Sequence, residues 1–222
     1  MSFSVVILSA NPANLIPCVR SLLTAEPSLS PLDIVVLDDG AREVAEPVLP
    51  ELCWITGIKP FIFARNANLG ITAARKNVFL MNDDACLVTP NGFTLLAAEA
   101  QRRAGLGICS AGIRGAVGNP RQIAAPVPSF RYETRAIAFV CVFIPWHIYM
   151  AVGPLDERFT GYGFEDNDYC SRIAGAGLKI GIWDGCVVDH GEHPSSFRSR
   201  SDITLLFEQN RQLYRSKWGR EA

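Results

Sequence analysis

Two short, continuous apolar runs, each closed by polar residues and each tied to helix-spaced sequence, constrain this chain more than any other feature. Phe3-Ser4-Val5-Val6-Ile7-Leu8 stops at Ser9-Ala10-Asn11-Pro12, and Ala13 to Leu23 then sets Leu15, Val19, Leu22 and Leu23 at helical spacing. Asp33-Ile34-Val35-Val36-Leu37 repeats the run and ends on Asp38-Asp39-Gly40. Strands apolar on both faces and alternating with helices predict a parallel sheet covered on both sides through right-handed crossovers. Ligands of such sheets bind where strands end. Asp38 and Asp39 are therefore placed to accept from a base N–H or a ribose hydroxyl, although the same triplet also serves as an ordinary turn.

Further along, Phe61-Ile62-Phe63 reads as another short strand and Arg65-Asn66-Ala67-Asn68-Leu69-Gly70 as a polar loop. Ile71 to Leu80 reads as a helix carrying Arg75 and Lys76, cations that either reach a diphosphate or are solvated on its surface. Val78-Phe79-Leu80-Met81 is also the apolar end of a strand, and it opens directly onto Asn82-Asp83-Asp84. Carboxylates packed at such an edge need a donor or a cation, and Mg²⁺-like ions favour one or two carboxylates plus substrate phosphates.

The second half carries a long irregular loop from Gly118 to Arg135, of the length used for lids or acceptor sites, then a buried apolar element from Ala136 to Ala151. Within that element Trp146 and His147 either pack or face an acceptor. Gly161-Tyr162-Gly163-Phe164-Glu165-Asp166-Asn167-Asp168 sets three carboxylates before a helix from Tyr169 to Gly177. The helix dipole favours each such charge by about 0.3–1 kcal/mol, so the acids suit a capped helix as well as a site. Ile180-Gly181-Ile182-Trp183 is a strand, Asp184-Gly185 a turn, and His190 and His193 follow. Asp202 to Trp218 is an amphipathic helix whose apolar face suits packing better than a membrane surface.

The 222 residues, 49% hydrophobic and 19% charged, predict one enzyme-sized domain over 1–222: a nucleotide-binding half over about 1–90, an acceptor and catalytic half over about 91–200, and a C-terminal helix over about 202–218. A net charge of −1 gives no long-range pull toward nucleic acid or anionic membrane, although Arg198, Arg200, Arg211, Arg215, Lys217 and Arg220 make the end locally basic. Seven cysteines without a C-x-x-C pair read as reduced thiols of a cytoplasmic protein. Neither a signal peptide nor a run long enough to span a bilayer is expected.

Four features in order resemble glycosyltransferase family 2 over about residues 3 to 195: Leu37-Asp38-Asp39-Gly40, Arg65 to Gly70, Asn82-Asp83-Asp84, and Gly153-Pro154-Leu155-Asp156-Glu157-Arg158-Phe159 leading into Glu165-Asp166-Asn167-Asp168. The resemblance implies a GT-A fold, a nucleotide-diphospho-sugar-binding α/β domain with a mixed, mostly parallel sheet flanked by helices. It implies an inverting hexosyltransferase-type enzyme that moves a sugar from a nucleotide-sugar donor, UDP or dTDP rather than GDP, to an acceptor hydroxyl on a glycan, lipid-linked sugar, protein or modified nucleobase. Carried over, Ser9, Ala10, Asn11 and Asp39 would line the base pocket, and Asn68, Gly70, Arg75, Asn82 and Asp83 would lie on the donor side. Asp84 and His190 would hold a divalent metal, Mn²⁺ or Mg²⁺; Asp166 would be the general base, with Glu165 holding the acceptor or orienting the loop. Trp146, Gly163 and Asp168 would face the acceptor.

The chain departs from the pattern at two places. Ser-Ala-Asn-Pro stands where the family commonly has Thr-Tyr-Asn, so the aromatic that stacks on the base is missing. Asn82 replaces the first acid of Asp-x-Asp, as in relatives resembling rhamnosyltransferases. Two other readings stay open. A sugar nucleotidylyltransferase would be expected to show an N-terminal glycine-rich phosphate loop, which Leu8 to Pro12 lacks. A non-catalytic nucleotide-sugar or glycan-binding relative is disfavoured by the intact Asp84 and Asp166.

Overall fold

Both opening runs are strands, β1 (Phe3–Ser9) and β2 (Ile34–Asp38), and the helix between them is α1 (Pro12–Ala25). The structure, a computed structural model, describes residues 2–115, 119–160, 163–191 and 203–219. Asn11 starts α1 by accepting from the Ala13 N–H at 3.0 Å, with proline in the first turn where no donor is missed. A single-turn helix, α2 (Arg42–Ala45), follows β2. Parallel register sets Ser9 beside Asp38, and β4 (Asn77–Asn82) pairs on the other side of β1 with Leu8 beside Asn82.

The third strand departs from the sequence reading. β3 is Cys53–Thr56, and Phe63, expected inside a strand, begins α3 (Phe63–Ala74). Arg65 to Gly70 is the middle of that helix and not a loop. The helix expected from Ile71 to Leu80 stops at Ala74, and its second half is β4. Arg75 ends α3 in the left-handed conformation, φ 51°.

Beyond β4 the sheet is mixed. β5 (Ala85–Leu87), α4 (Gly92–Gln101) and β6 (Leu106–Gly115) come next, then β7 (Phe130–Glu133) and β8 (Cys141–Ile144). A short helix α5 (Trp146–Val152), then α6 (Glu165–Gly175), β9 (Lys179–His190) and α7 (Ile203–Trp218) complete the described chain. The order across the sheet is β3-β2-β1-β4-β8-β6-β9-β5, with β7 also on β9. Parallel pairing joins β3-β2-β1-β4 and β6-β9; β8, β5 and β7 run against their neighbours. The stretch read as irregular from Gly118 to Arg135 holds a 3-10 turn at Pro120–Gln122 and β7, while Gly118 itself lies outside the described residues. The expected turn at Asp184-Gly185 is a register shift inside one continuous β9.

Alternate residues of β1 feed two cores. Val5 and Ile7 meet Leu15, Val19 and Leu22 of α1 and Phe93 and Leu96 of α4, with the Phe79 and Phe93 rings stacked at 3.9 Å. Val6 and Leu8 face Ala64, Ala67 and Ile71 of α3 and Tyr169 and Ile173 of α6. All seven cysteines are free thiols, five of them buried. Among the described residues no helix is long and apolar enough to cross a membrane.

Candidate donor and catalytic site

The carboxyl ends of β1, β2, β4 and β9 lie at one edge of the sheet, and acids gather there. Asp38 is spent on structure: its Oδ1 accepts from the Gly40 and Arg42 N–H groups at 2.9 and 3.0 Å and so leads the chain into α2. Asp39, one residue on, donates its N–H to Ser9 O at 2.8 Å, which ties the first two strand ends together. Its carboxylate pairs with Lys59, whose ammonium also lies over the Phe61 ring at 5.4 Å. Lys59 carries no signal in the sequence, because nothing local to a single lysine in the turn after β3 marks its pairing with Asp39 at the end of another strand.

Asp83 and Asp84 form the turn between β4 and β5. The buried Ser9 hydroxyl donates to Asp83 Oδ2 at 2.6 Å. Burial nevertheless pushes the Asp83 carboxyl up to about 6, against the pull of the Ser9 bond and with the help of the neighbouring Asp84 charge. Asp84 faces the end of β9, where His190 Nε2 lies 3.1 Å from its Oδ1 and the Gly191 N–H donates to its carbonyl at 3.1 Å. A carboxylate and an imidazole held side by side with little exposure are a partial donor set for a divalent cation. Among the described residues no group of three or more potential ligands forms, so a cation there would need ligands beyond Asp84 and His190. His193 lies outside the described residues.

Glu165 and Asp166 begin α6 and come to the same edge. The Asp166 carboxyl accepts from the Asn167 N–H at 2.8 Å and faces the Phe139 N–H. The next residue, Val140, accepts from the Asn82 N–H at 2.9 Å, which links the acid turn to the end of β4. Burial raises both carboxyls, and their mutual repulsion adds to the rise at Glu165. The segment carrying Phe139 is itself fixed by Gln122, fully buried, which donates to Ala138 O at 2.9 Å and accepts from Ala138 N at 2.7 Å.

Other expected residues have structural work. Asn11 caps α1, and its N–H meets Ser9 Oγ at 3.2 Å; Ala10 lies between them at the strand edge. Asn68 Oδ1 accepts from the Leu155 N–H at 2.8 Å and its amide donates to Leu155 O at 2.9 Å and Glu157 Oε1 at 3.1 Å, so it staples the 153–159 segment to α3. Gly70 lets α3 approach the sheet: a Cβ there would lie 2.5 Å from Leu37 and 2.6 Å from Val6. Arg75 and Trp146 are not brought to the acids. Arg75 closes α3 two residues before β4, and the Trp146 N–H donates to Asn77 Oδ1 at 3.0 Å, both at the amino end of that strand. Trp146 stacks on Tyr149, ring centroids 5.7 Å apart. Asp168 is buried against Arg172, Lys217 and Trp218, and Gly163 lies beneath α7 with its carbonyl accepting from Asn210. Gly161 and Tyr162 are outside the described residues.

The chain is similar in fold to several solved structures. The crystal structure of GalNAc-T7 with UDP, GalNAc and Mn²⁺ superposes with a TM-score of 0.75 at 14% identity, covering 96% of this chain and 48% of that one. S. aureus TarS 1-349 in complex with UDP-GlcNAc gives 0.61 at 12% identity, covering 96% of this chain and 66% of that one. TarS 1-349 alone gives 0.64 at 12% identity over 99% and 74%. This chain therefore spans about half the length of the GalNAc-T7 chain. No curated protein sequence matches it. Residues 4–150, about two thirds of the chain, match the model of Glycosyl transferase family 2. The sheet, its carboxyl-edge acids and that match agree: the chain has the GT-A fold and belongs to glycosyl transferase family 2.

Proposed function

We propose that the chain is an inverting glycosyltransferase, moving a sugar from a nucleotide-diphosphate donor to an acceptor hydroxyl. The observation that carries this reading is the meeting of Asp39, Asp83, Asp84, His190 and Asp166 at one carboxyl edge of a family 2 sheet. In it Asp39 accepts from the base N–H of a uracil or thymine, after exchanging its pairing with Lys59. Asp83 lies toward the donor ribose and sugar, steadied by Ser9. Asp84 and His190 would hold a divalent cation, which supplies charge neutralisation for the leaving diphosphate.

Asp166 takes the proton from the acceptor hydroxyl as that oxygen attacks the anomeric carbon and the bond to the diphosphate oxygen breaks. Its backbone donors keep the carboxylate oriented, and burial lifts its basicity toward neutral pH. Glu165 beside it, raised by burial and by the Asp166 charge, is given the acceptor-positioning role. Asn82 in place of an acid supports a rhamnosyltransferase-like subgroup, the Asp39 role favours UDP or dTDP donors over GDP, and the free thiols fit a cytoplasmic setting.

Thermal-shift titration with UDP, dTDP and GDP, each with and without Mn²⁺ or Mg²⁺, tests the donor site. Stabilisation by one diphosphate is expected, with a metal-dependent increase that disappears in Asp84→Ala. The absence of stabilisation by every nucleotide would overturn the reading in favour of a non-catalytic relative.

A further inference from the structure

Helix α7 joins no sheet and follows the last strand, yet its polar side chains converge on one short stretch, the residues just before and inside the first turn of α6. Gly163 and Phe164 are both left-handed, φ 83° and 76°. For phenylalanine that conformation costs about 1 kcal/mol or more and persists only where its surroundings impose it. α7 supplies those surroundings. Asn210 Nδ2 donates to Gly163 O at 2.9 Å, and the Phe207 and Tyr214 rings lie 5.0 and 5.7 Å from the Phe164 ring. The Tyr214 hydroxyl is 2.7 Å from Ser171 Oγ, one further turn along α6.

The charges repeat the pattern. The Asp168 side chain has no exposure, and a carboxylate removed from water must be paired. Arg172 of its own helix donates to Oδ2 at 3.0 Å, whereas Oδ1 is served by α7 alone among the described residues, by Lys217 Nζ at 2.7 Å and Trp218 Nε1 at 2.9 Å. Lys217 also reaches Asp156 Oδ2 at 2.8 Å, in the segment that Asn68 staples to α3. One ammonium thus ties the first turn of α6 to the fixed part of the molecule.

We propose that Lys217, Trp218 and Asn210 are positioning residues: they hold the Gly163–Asp168 stretch in the strained shape that presents Glu165 and Asp166. The catalytic part of this inference rests on the proposed role of Asp166; the structural part does not. Loss of the α7 contacts leaves Asp168 half-paired, lets Phe164 leave the left-handed region, and moves Asp166 away from the end of β4.

Lys217→Met, Trp218→Phe and Asn210→Ala in the full chain test this by three readouts: amide hydrogen exchange over 163–170, UDP affinity, and initial rates. Exchange over 163–170 is expected to quicken at least about tenfold and turnover to fall about 10–100-fold, with UDP affinity within about twofold of wild type. Lys217→Arg is expected to recover most of both. Unchanged exchange over 163–170 in all three variants would overturn the proposal, and so would a loss of UDP affinity that matches the loss of turnover. Should Lys217→Met not fold, Trp218→Phe removes only one N–H donor and carries the same expectation. Full turnover in Asp166→Asn would remove the base assignment alone, and the exchange result would still decide whether α7 holds the turn.

Discussion

Asp84 and His190, 106 residues apart in sequence, meet at 3.1 Å because β5 pairs antiparallel with the end of β9 and sets Ala85 opposite His190. In the proposed site the pair acts as one unit, so Asp84→Ala and His190→Ala should both abolish the metal-dependent part of diphosphate stabilisation, and combining them should add little. Thermal shifts with UDP at fixed Mn²⁺ check this, and full additivity of the two losses would separate the residues.

The two carboxyls at the start of α6 should titrate as a pair. Both are raised by burial, and Glu165 is raised further by the Asp166 charge. As pH falls the pair takes up protons, so turnover should decline on the acid side at a pH above the ordinary carboxylate range. Asp166→Asn should cost about 10²–10⁴-fold in turnover with UDP binding retained. Glu165→Gln mimics the protonated neighbour and should keep most of the rate and the acid limb. A pH-rate profile of the three proteins distinguishes this from the reverse assignment, in which Glu165→Gln binds UDP but loses turnover.

Asp83 should make the protein's stability depend on pH in a definite sense. Its folded carboxyl is pushed up to about 6 from an ordinary value of 3.8, so the folded state binds the proton more tightly than the unfolded chain. Stability from this group is complete below the ordinary value and is lost as pH rises through about 6. Asp83→Asn removes the dependence and should stabilise the nucleotide-free protein by up to about 3 kcal/mol at about pH 7.5, while matching wild type near about pH 4. Melting curves across that range check it; parallel curves for the two proteins would count against a buried, destabilising charge.

The fold is legible where one kind of periodicity dominates. β1, α1 and β2 follow from uninterrupted apolar runs and one helical stripe. The stretch after β2 misleads because its signals conflict. Asn66, Asn68 and Gly70 look like a polar loop, yet each faces a different neighbour from one helix: Asn66 bonds the Ile58 N–H at 2.7 Å, Asn68 holds Leu155, and Gly70 admits the sheet. Composition does not reveal a polar residue whose partner lies 87 positions away. The strand-edge acids are readable because a strand end is a local event, and Asp166 because it opens a helix. Lys59, Gln122 and the α7 donors are not, since each acts on a backbone or charge that only the tertiary fold brings to it. Asp168 shows the opposite failure: it sits in the acid cluster by sequence but is turned inward to Lys217 and Trp218.

The glycine in α3 separates packing from chemistry within the motif. A Cβ at residue 70 would stand 2.5 Å from Leu37 Cδ2 and 2.6 Å from Val6 Cγ1, in the neighbouring strands β2 and β1. Leu37 and Val6 are fully buried and have no open space to enter, so the helix must lift. Gly70→Ala should therefore destabilise by about 1–3 kcal/mol even though alanine is the better helix former. Lifting α3 also strains the Asn68 bonds to the 153–159 segment. Asn68→Ala should likewise cost about 1–3 kcal/mol, by leaving the buried Leu155 N–H without its acceptor. In both variants UDP affinity of the folded fraction should stay near wild type, because neither side chain reaches the strand-edge acids. Denaturant melts beside UDP titrations check this, and a selective loss of UDP affinity without loss of stability would return both residues to the donor site.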